Sequence, residues 1–307
     1  MTTALFSHDD CQKHDMGADH PESPQRLAAI ISYLGSTGLE QELDWIKPEE
    51  ITRDQLLAVH PERYLHQLDL MQPTRGRIFT DPDTAMMPDT LRAARLAAGA
   101  NVEAVDMVMS GQIDNAFICA RPPGHHAERS KSMGFCFYNN IALAAARALN
   151  FHGLERVAIV DFDVHQGNGT VDAVQGDERI LMCSSFQHPF YPHSHVHLQA
   201  DNIVNTPIAA GTSALEYRKT VESQWLHRLQ DFKPQLVLVS AGFDAHRLDP
   251  LAELNLEADD YRWLTDMLTS VAHDHAHNRL VSTLEGGYHL QALAQSVNAH
   301  LEGLMAH

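Results

Sequence analysis

The sequence predicts an α/β protein whose parallel sheet is covered by helices on both faces. Short apolar segments alternate with helical patterns along the chain, and those segments are apolar nearly throughout instead of at every second residue. A strand buried on both faces needs such a continuous run, and sheets of that kind are typically parallel ones flanked by their crossover helices. In addition, several runs end abruptly in polar residues and glycines. In open α/β sheets, ligands bind at the carboxyl ends of the strands.

The elements follow in chain order. In 89–110, Leu91, Ala94, Ala98, Val102, Val105 and Met109 recur at steps of three and four, as one buried helix face requires, and Asp89 stands where it can cap the first turn. "NAFICA" (115–120) reads as a strand and 139–151 as a helix. "RVAIVDFD" (156–163) and "RILMCSS" (179–185) read as strands, and 213–231 as a helix. "QLVLVSAG" (235–242) and "RLVSTLEGG" (279–287) are strands separated by a helix over 258–277, and a last helix covers 290–305. No internal repeat or low-complexity linker interrupts the 307 residues, so one domain over 1–307 is expected.

Composition narrows the function. With 22 Lys+Arg against 40 Asp+Glu, the formal charge of −18 repels phosphate backbones and argues against direct nucleic-acid binding. It suits cationic ligands such as lysine-rich segments or polyamines, although acidity also serves solubility. No stretch of about 18 apolar residues suggests a membrane span. "MTTALFSHDD" lacks a basic segment followed by an apolar run, so no secretory leader is expected. Four separated cysteines (Cys11, Cys119, Cys136, Cys183) fit a reduced, cytoplasmic protein better than a disulfide framework.

Four predicted strands run into chemistry. After "VAIV", "DFDVHQGNG" sets Asp161, Asp163 and His165 at alternate positions, which share a face while the chain stays extended. Carboxylates with an imidazole and no thiolate suit Zn²⁺, Fe²⁺ or Mn²⁺; a hydrogen-bonded loop with a capping aspartate would give the same spacing. "RPPGHHAE" places His125 and His126 after two prolines and a glycine that hold the backbone in a set path, and paired imidazoles can serve as general base and electrostatic partner. "SAGFDAH" offers Asp244 as a further ligand, with His246 as its rival. "EGGY" offers Tyr288, a phenol able to polarise a carbonyl beside a metal, although packing alone could explain it. The remaining histidine runs read as less specific. "HSHVH" (193–197) is a loop, "HDHAHN" (273–278) a solvated helix end, and "SHDDCQKH" (7–14) a surface loop. No P-loop, dinucleotide fingerprint or G-x-S-x-G elbow occurs.

Together "DHPESPQR", "RPPGHHAE", "GFCFYNN", "VDFDVHQGNGT", "SAGFDAH" and "LEGGY" resemble the zinc-dependent histone deacetylase family, in family order over residues 19–288. The details look like its class II and bacterial amidohydrolase branch. The resemblance implies a single-domain arginase–deacetylase fold with a central parallel sheet of about eight strands. It implies removal of acetyl or other short acyl groups from lysine side chains, with acetylpolyamines or other small amides as the alternative. A silent acyl-lysine binder and a two-manganese hydrolase on the same fold are less consistent with the motif set.

Position by position, the resemblance makes Asp163, His165 and Asp244 the zinc ligands, with Fe²⁺ fitting the same set. His126 resembles the general base that takes a proton from the attacking water and returns it to the amine. His125 resembles its partner, oriented by Asp161, and Asn168 stands where the family holds the second histidine. Tyr288 resembles the carbonyl-polarising phenol. Gly134, Phe135, Tyr191, Leu251 and Gly287 match the acyl-lysine tunnel, and Arg26 the arginine of an internal product channel. A monovalent cation, K⁺, is implied around Asp161, Asp163, His165, Ser184 and Ser185. The implied partners are acyl-lysine peptides or small acylated amines, and a homo-oligomer is compatible. Three departures stand out, the first being Phe186 in "SSFQ", where relatives often place a histidine. "HSHVHLQADN" replaces the glycine-containing turn that many relatives carry after "PFYP", and Leu251 stands near where the polyamine-selective branch uses a glutamate.

Overall fold

The computed structural model describes residues 2–198 and 200–306. Ten strands occur among them: β1 (Thr3–Phe6), β2 (Asp44–Ile46), β3 (Ile78–Asp81), β4 (Thr84–Met86), β5 (Asn115–Ile118), β6 (Val157–Asp161), β7 (Ile180–Gln187), β8 (Ile203–Ile208), β9 (Leu236–Ala241) and β10 (Leu280–Leu284). The α-helices are α1 (Gln25–Thr37), α2 (Arg53–Leu56), α3 (Glu62–Met71), α4 (Thr90–Ser110), α5 (Asn140–Asn150), α6 (Asn168–Val174), α7 (Ala214–Phe232), α8 (Ala258–His275) and α9 (Leu290–Met305).

Eight strands form one sheet in the order β2-β1-β5-β10-β9-β6-β7-β8, and every pairing in it is parallel. Helices α4, α5 and α6 cover one face, while α1, α9, α8 and α7 pack in succession over the other. β5, β6, β9 and β10 are buried at every residue, which is why they read as largely apolar runs; the polar residues inside β10 are paired, Ser282 Oγ with His300 Nε2 and Thr283 Oγ1 with Asn101 Nδ2. The remaining two strands make the antiparallel hairpin β3–β4 outside the sheet.

The five expected strands and five expected helices are all present, with ends shifted by a few residues. Three sheet strands escaped notice. β1 is only four residues long, β2 is short and largely exposed, and β8 carries polar residues and Pro207, tolerated because it is an edge strand. Two local expectations need correction. Asp89 is the residue before α4, but its side chain makes no capping hydrogen bond; its backbone sits at φ −91°, ψ −2° instead of the extended form a capping side chain needs. The 7–14 segment is not a surface loop, because Asp9–Gln12 forms a 3₁₀ turn that buries Cys11, and His14 is buried after it.

Buried histidines give the fold an acid sensitivity. His60 accepts a hydrogen bond from the Asn139 N–H at Nε2 (2.9 Å) and pairs through Nδ1 with the Arg129 carbonyl (3.1 Å), which fixes one neutral tautomer. Burial lowers its pKa to about 4 and that of His300 to about 3. Both folded values lie below the ordinary 6.5, so their stabilisation is complete above pH 6.5. It fades as pH falls, down to about 4 for His60 and about 3 for His300, by roughly 3 kcal/mol each at pH 4. Thermal unfolding followed from pH 7 to 4 should therefore show a steep loss of Tm, and His60→Gln should flatten it.

Candidate active site

The four central strands β5, β10, β9 and β6 end side by side, and each continues into one part of a single locus. β5 leads through Arg121, Pro122, Pro123 and Gly124 to His125 and His126. β6 leads to Asp163 and His165 and then α6, β9 to Asp244, and β10 to Glu285, Gly286, Gly287 and Tyr288. Segments far apart in sequence therefore meet at one sheet edge.

Asp163, His165 and Asp244 are all buried, with donor atoms within 4.8 Å of one another. His165 Nδ1 lies 3.0 Å from Asp163 Oδ1 and 3.2 Å from Asp244 Oδ2. The backbone orients both carboxylates. Gly286 N–H donates to Asp163 Oδ2 (2.8 Å), and Val164 N–H donates to Asp244 Oδ1 (2.9 Å). Asp244 Oδ2 remains buried without a hydrogen bond despite its nearness to the imidazole.

The charges point the same way. Burial opposes a charged His165, yet Asp163 and Asp244 overcome it and raise the imidazole to about 10. Burial, reinforced by Asp163, holds Asp244 above the usual carboxylate range. Both carboxylates thus draw positive charge to this point, and one oxygen, Asp244 Oδ2, is left without a partner. Such a donor set fits a divalent cation. His246, the rival of Asp244, is not in this group; its Nδ1 accepts from the Leu248 N–H at 3.1 Å. Asp161 is not in it either, although its spacing suggested a ligand; its Oδ2 meets His125 Nδ1 at 3.0 Å.

The histidine pair is differentiated by its partners. The two rings lie 4.1 Å apart. Burial disfavours a charged His125, but Asp163 and Asp161 outweigh it and raise its pKa well above 6.5. His126 is pushed well below 6.5 by burial, and then by repulsion from His125 and His165. Asn168 Nδ2 donates to Glu128 Oε1 (2.9 Å), so the amide oxygen is the atom 2.7 Å from His126 Nδ1. His126 therefore donates from Nδ1 and keeps a lone pair on Nε2. Close approach needs glycines here. A Cβ on Gly134, whose φ is +55°, would lie 2.4 Å from the His126 ring, and one on Gly167 2.3 Å from Asp161 Oδ2. Gly167 itself has φ −73°, so it supplies space and not a left-handed turn.

Aromatic rings surround the locus. Tyr191 meets His126 edge-on at 5.2 Å and His165 at 6.1 Å, and Phe190 stacks on His165 at 5.1 Å. Phe135 meets Tyr288 edge-on at 6.0 Å. The Tyr288 hydroxyl is held protonated, its pKa raised well above 10 by burial and further by Asp244 and Asp163. The Tyr288 N–H donates to Asp249 Oδ2 (2.7 Å), while Asp249 Oδ1 accepts from the N–H of the half-buried Leu251 (3.0 Å). Arg26 is fully buried and lies 5.1 Å from the Tyr288 ring centre. Its Nε donates to the Gly287 carbonyl (2.7 Å) and its Nη2 to that of Glu285 (2.5 Å). Ser184 pairs with Asp161 across β6 and β7, and its Oγ is buried without a partner; Ser185 Oγ pairs with the Tyr217 hydroxyl at 2.7 Å.

Sequence reasoning missed several supports. Glu285 is fully buried, and its Oε2 accepts the Gly124 N–H (2.7 Å) and the His125 N–H (3.1 Å), which fixes the turn carrying both histidines. Glu22 binds the buried Arg121 and Arg26. Both lie inside quoted motifs, "LEGGY" and "HPESP", but nothing in their spacing distinguishes a buried carboxylate from a solvated one. Asp249 and Phe190 carried no local signal at all.

Architecture and chemistry at this sheet edge define an amidohydrolase of the arginase–deacetylase fold. Residues 20–304 match the family model of the histone deacetylase domain, and the chain belongs to the histone deacetylase family. It is 36% identical to a histone deacetylase-like amidohydrolase of Pseudomonas aeruginosa, over 88% of this chain and 73% of that one. It is 34% identical to the polyamine deacetylase HDAC10 of Mus musculus, over 99% of this chain and 48% of that one. Its structure is similar to the crystal structure of the HDA15 HD domain, with TM-score 0.93, 32% identity, and coverage of 99% and 89%. Among the described residues no helix is long and apolar enough to cross a membrane.

Proposed function

We propose that this protein is a metal-dependent deacylase that hydrolyses acyl-lysine side chains to a short carboxylic acid and a free amine. The observation that carries the reading is His126, its Nδ1 on the Asn168 amide oxygen so that Nε2 is left to accept, set beside the buried Asp163–His165–Asp244 group. Those three residues would hold Zn²⁺, and Fe²⁺ fits the same donors. When bound, the ion lowers the pKa of water towards about 7 and polarises the amide carbonyl.

The chain's own residues do the rest. His126 Nε2 takes a proton from the attacking water and returns it to the leaving amine, while Nδ1–H stays on Asn168. The charged His125, held by Asp161, keeps His126 neutral before the attack. Tyr288 donates its hydroxyl proton in a hydrogen bond to the oxygen that gains charge. Phe135 and Tyr191, with Gly134, Leu251 and Gly287, wall the path of the lysine stem and exclude water. Arg26, packed behind Tyr288, lines the route of the released acid. K⁺ held by Asp161, Asp163, His165, Ser184 and Ser185 would brace the strand ends; the unpartnered Ser184 Oγ beside Asp161 supports this.

The second reading, hydrolysis of acetylpolyamines, is favoured by the formal charge of −18. Leu251, which brings no charge to the tunnel, favours peptides. Comparing kcat/KM on acetyl-lysine peptides and acetylpolyamines decides. Peptides should exceed polyamines by about tenfold or more, with turnover abolished by chelation and restored by Zn²⁺, since one missing charge contact costs about 1.4 kcal/mol or more. A polyamine preference of orders of magnitude overturns the peptide assignment. Turnover that survives full metal removal overturns the mechanism.

A further inference from the structure

A second set of imidazoles lies outside the reaction. His188, His193, His195 and His197 line one open surface pocket of about 380 Å³, completed by Val196 and Leu198, with His193 and His197 exposed. The His188 and His197 rings stand edge to face, with centres 6.0 Å apart. Among the lining residues, His188 Nδ1 is buried without a hydrogen bond. Buried polar atoms are nearly always paired, so this nitrogen is open to a ligand. His193 and His195 hold φ at +60° and +57°, in the left-handed region where histidine, like asparagine and aspartate, is over-represented. The segment is anchored: His188 N–H donates to the Ile208 carbonyl (2.8 Å), and Asn205 Nδ2 to the His195 carbonyl (2.8 Å).

We propose that these four histidines form a second transition-metal site, independent of Asp163, His165 and Asp244. Imidazole donors without carboxylate or thiolate select a divalent ion of the zinc, nickel and copper class, and four of them complete a tetrahedral shell. The strongly negative chain offsets the added charge. Asp163–His165–Asp244 is the one donor group of three already gathered within 4.8 Å among the described residues. The loop imidazoles must therefore draw together around an ion, and the loop site binds more weakly. Bound there, the ion ties down the segment that carries Phe190 and Tyr191, the rings against His165 and His126.

Zinc counted per chain after equilibration with excess zinc and removal of the free ion tests this. The wild type should hold two ions, and His193→Ala/His195→Ala/His197→Ala one. Asp163→Asn/Asp244→Asn should also hold one, and that ion should disappear when the two sets are combined. Calorimetric titration with Ni²⁺ should show the weaker event reduced at least tenfold in the loop variant, with its melting temperature in metal-free buffer unchanged. A single ion in the wild type, lost only in Asp163→Asn/Asp244→Asn, overturns the loop site and leaves the proposed function intact. A second ion that survives in the loop variant overturns it as well. A wild type whose single ion is lost only in the loop variant overturns the assignment of Asp163 and Asp244 instead.

Discussion

His126→Ala should lower kcat on an acyl-lysine peptide by about 10²–10⁴-fold and leave KM within a few fold of wild type. The ring supplies the only neutral imidazole nitrogen free to accept a proton at this locus, since Nδ1 is engaged by Asn168 and His125 is held charged by Asp163 and Asp161. Metal content should be retained, because Asp163, His165 and Asp244 draw none of their orientation from His126: their hydrogen bonds come from Gly286, His165 and Val164 backbone N–H groups. Steady-state kinetics with a metal count on the same sample checks both statements. A loss confined to KM would mean that His126 binds substrate and moves no proton. His126→Gln, which fills more of the space against Gly134, separates loss of the base from collapse of the wall.

Glu22→Ala should destabilise the fold by about 3–5 kcal/mol, the largest stability effect expected of any single side chain here. Glu22, Arg26 and Arg121 are fully buried. The carboxylate receives Arg121 through Nε and Nη2 (the latter at 2.6 Å) and Arg26 through Nη1 at 3.2 Å, and His14 Nε2 lies 3.5 Å away. Burial alone would raise the Glu22 pKa, but the two guanidiniums and His14 win and hold it at about 2. Removing it leaves two cations in the interior with carbonyl partners alone. Denaturant unfolding checks the magnitude, and Glu22→Gln, which keeps an acceptor, should lose less. Activity of the folded fraction should fall too, because Arg26 ties the carbonyls of Glu285 and Gly287 beside Tyr288. An unchanged unfolding midpoint would mean that water reaches these arginines.

Much of this was legible from the chain. The largely apolar runs of β5, β6, β9 and β10 and their polar endings announce a parallel sheet with one reactive edge, because strands buried on both faces need not alternate and collect their charged residues where they stop. Asp161, Asp163 and His165 illustrate the limit. Alternate spacing makes the three look equivalent, whereas the fold turns Asp161 towards His125 and fetches Asp244 from another strand. Spacing is local and ligation is not. The same reason hid Glu22 and Glu285, whose partners lie in segments distant in sequence. β2 and β8 were missed because edge strands are partly solvated and lose the signature of burial.

The strand order has a temporal consequence. β10 lies between β5 and β9, yet it follows both in the chain. While the polypeptide emerges from the ribosome, β1 and β5 can pair, and β6 to β9 can pair, but the two halves have no shared strand until β10 arrives. The apolar margins of β5 and β9 stay open through that interval, and Tyr288 and Glu285 are delivered by the same strand that closes the seam. Reactivity and completion of the sheet therefore arise in one event. A half-made chain can gather Asp163, His165 and Asp244 on β6 and β9, but it lacks Glu285 and Tyr288 and has nothing to join the β5 half with His125 and His126 to them, which makes turnover a direct report that the last strand has inserted.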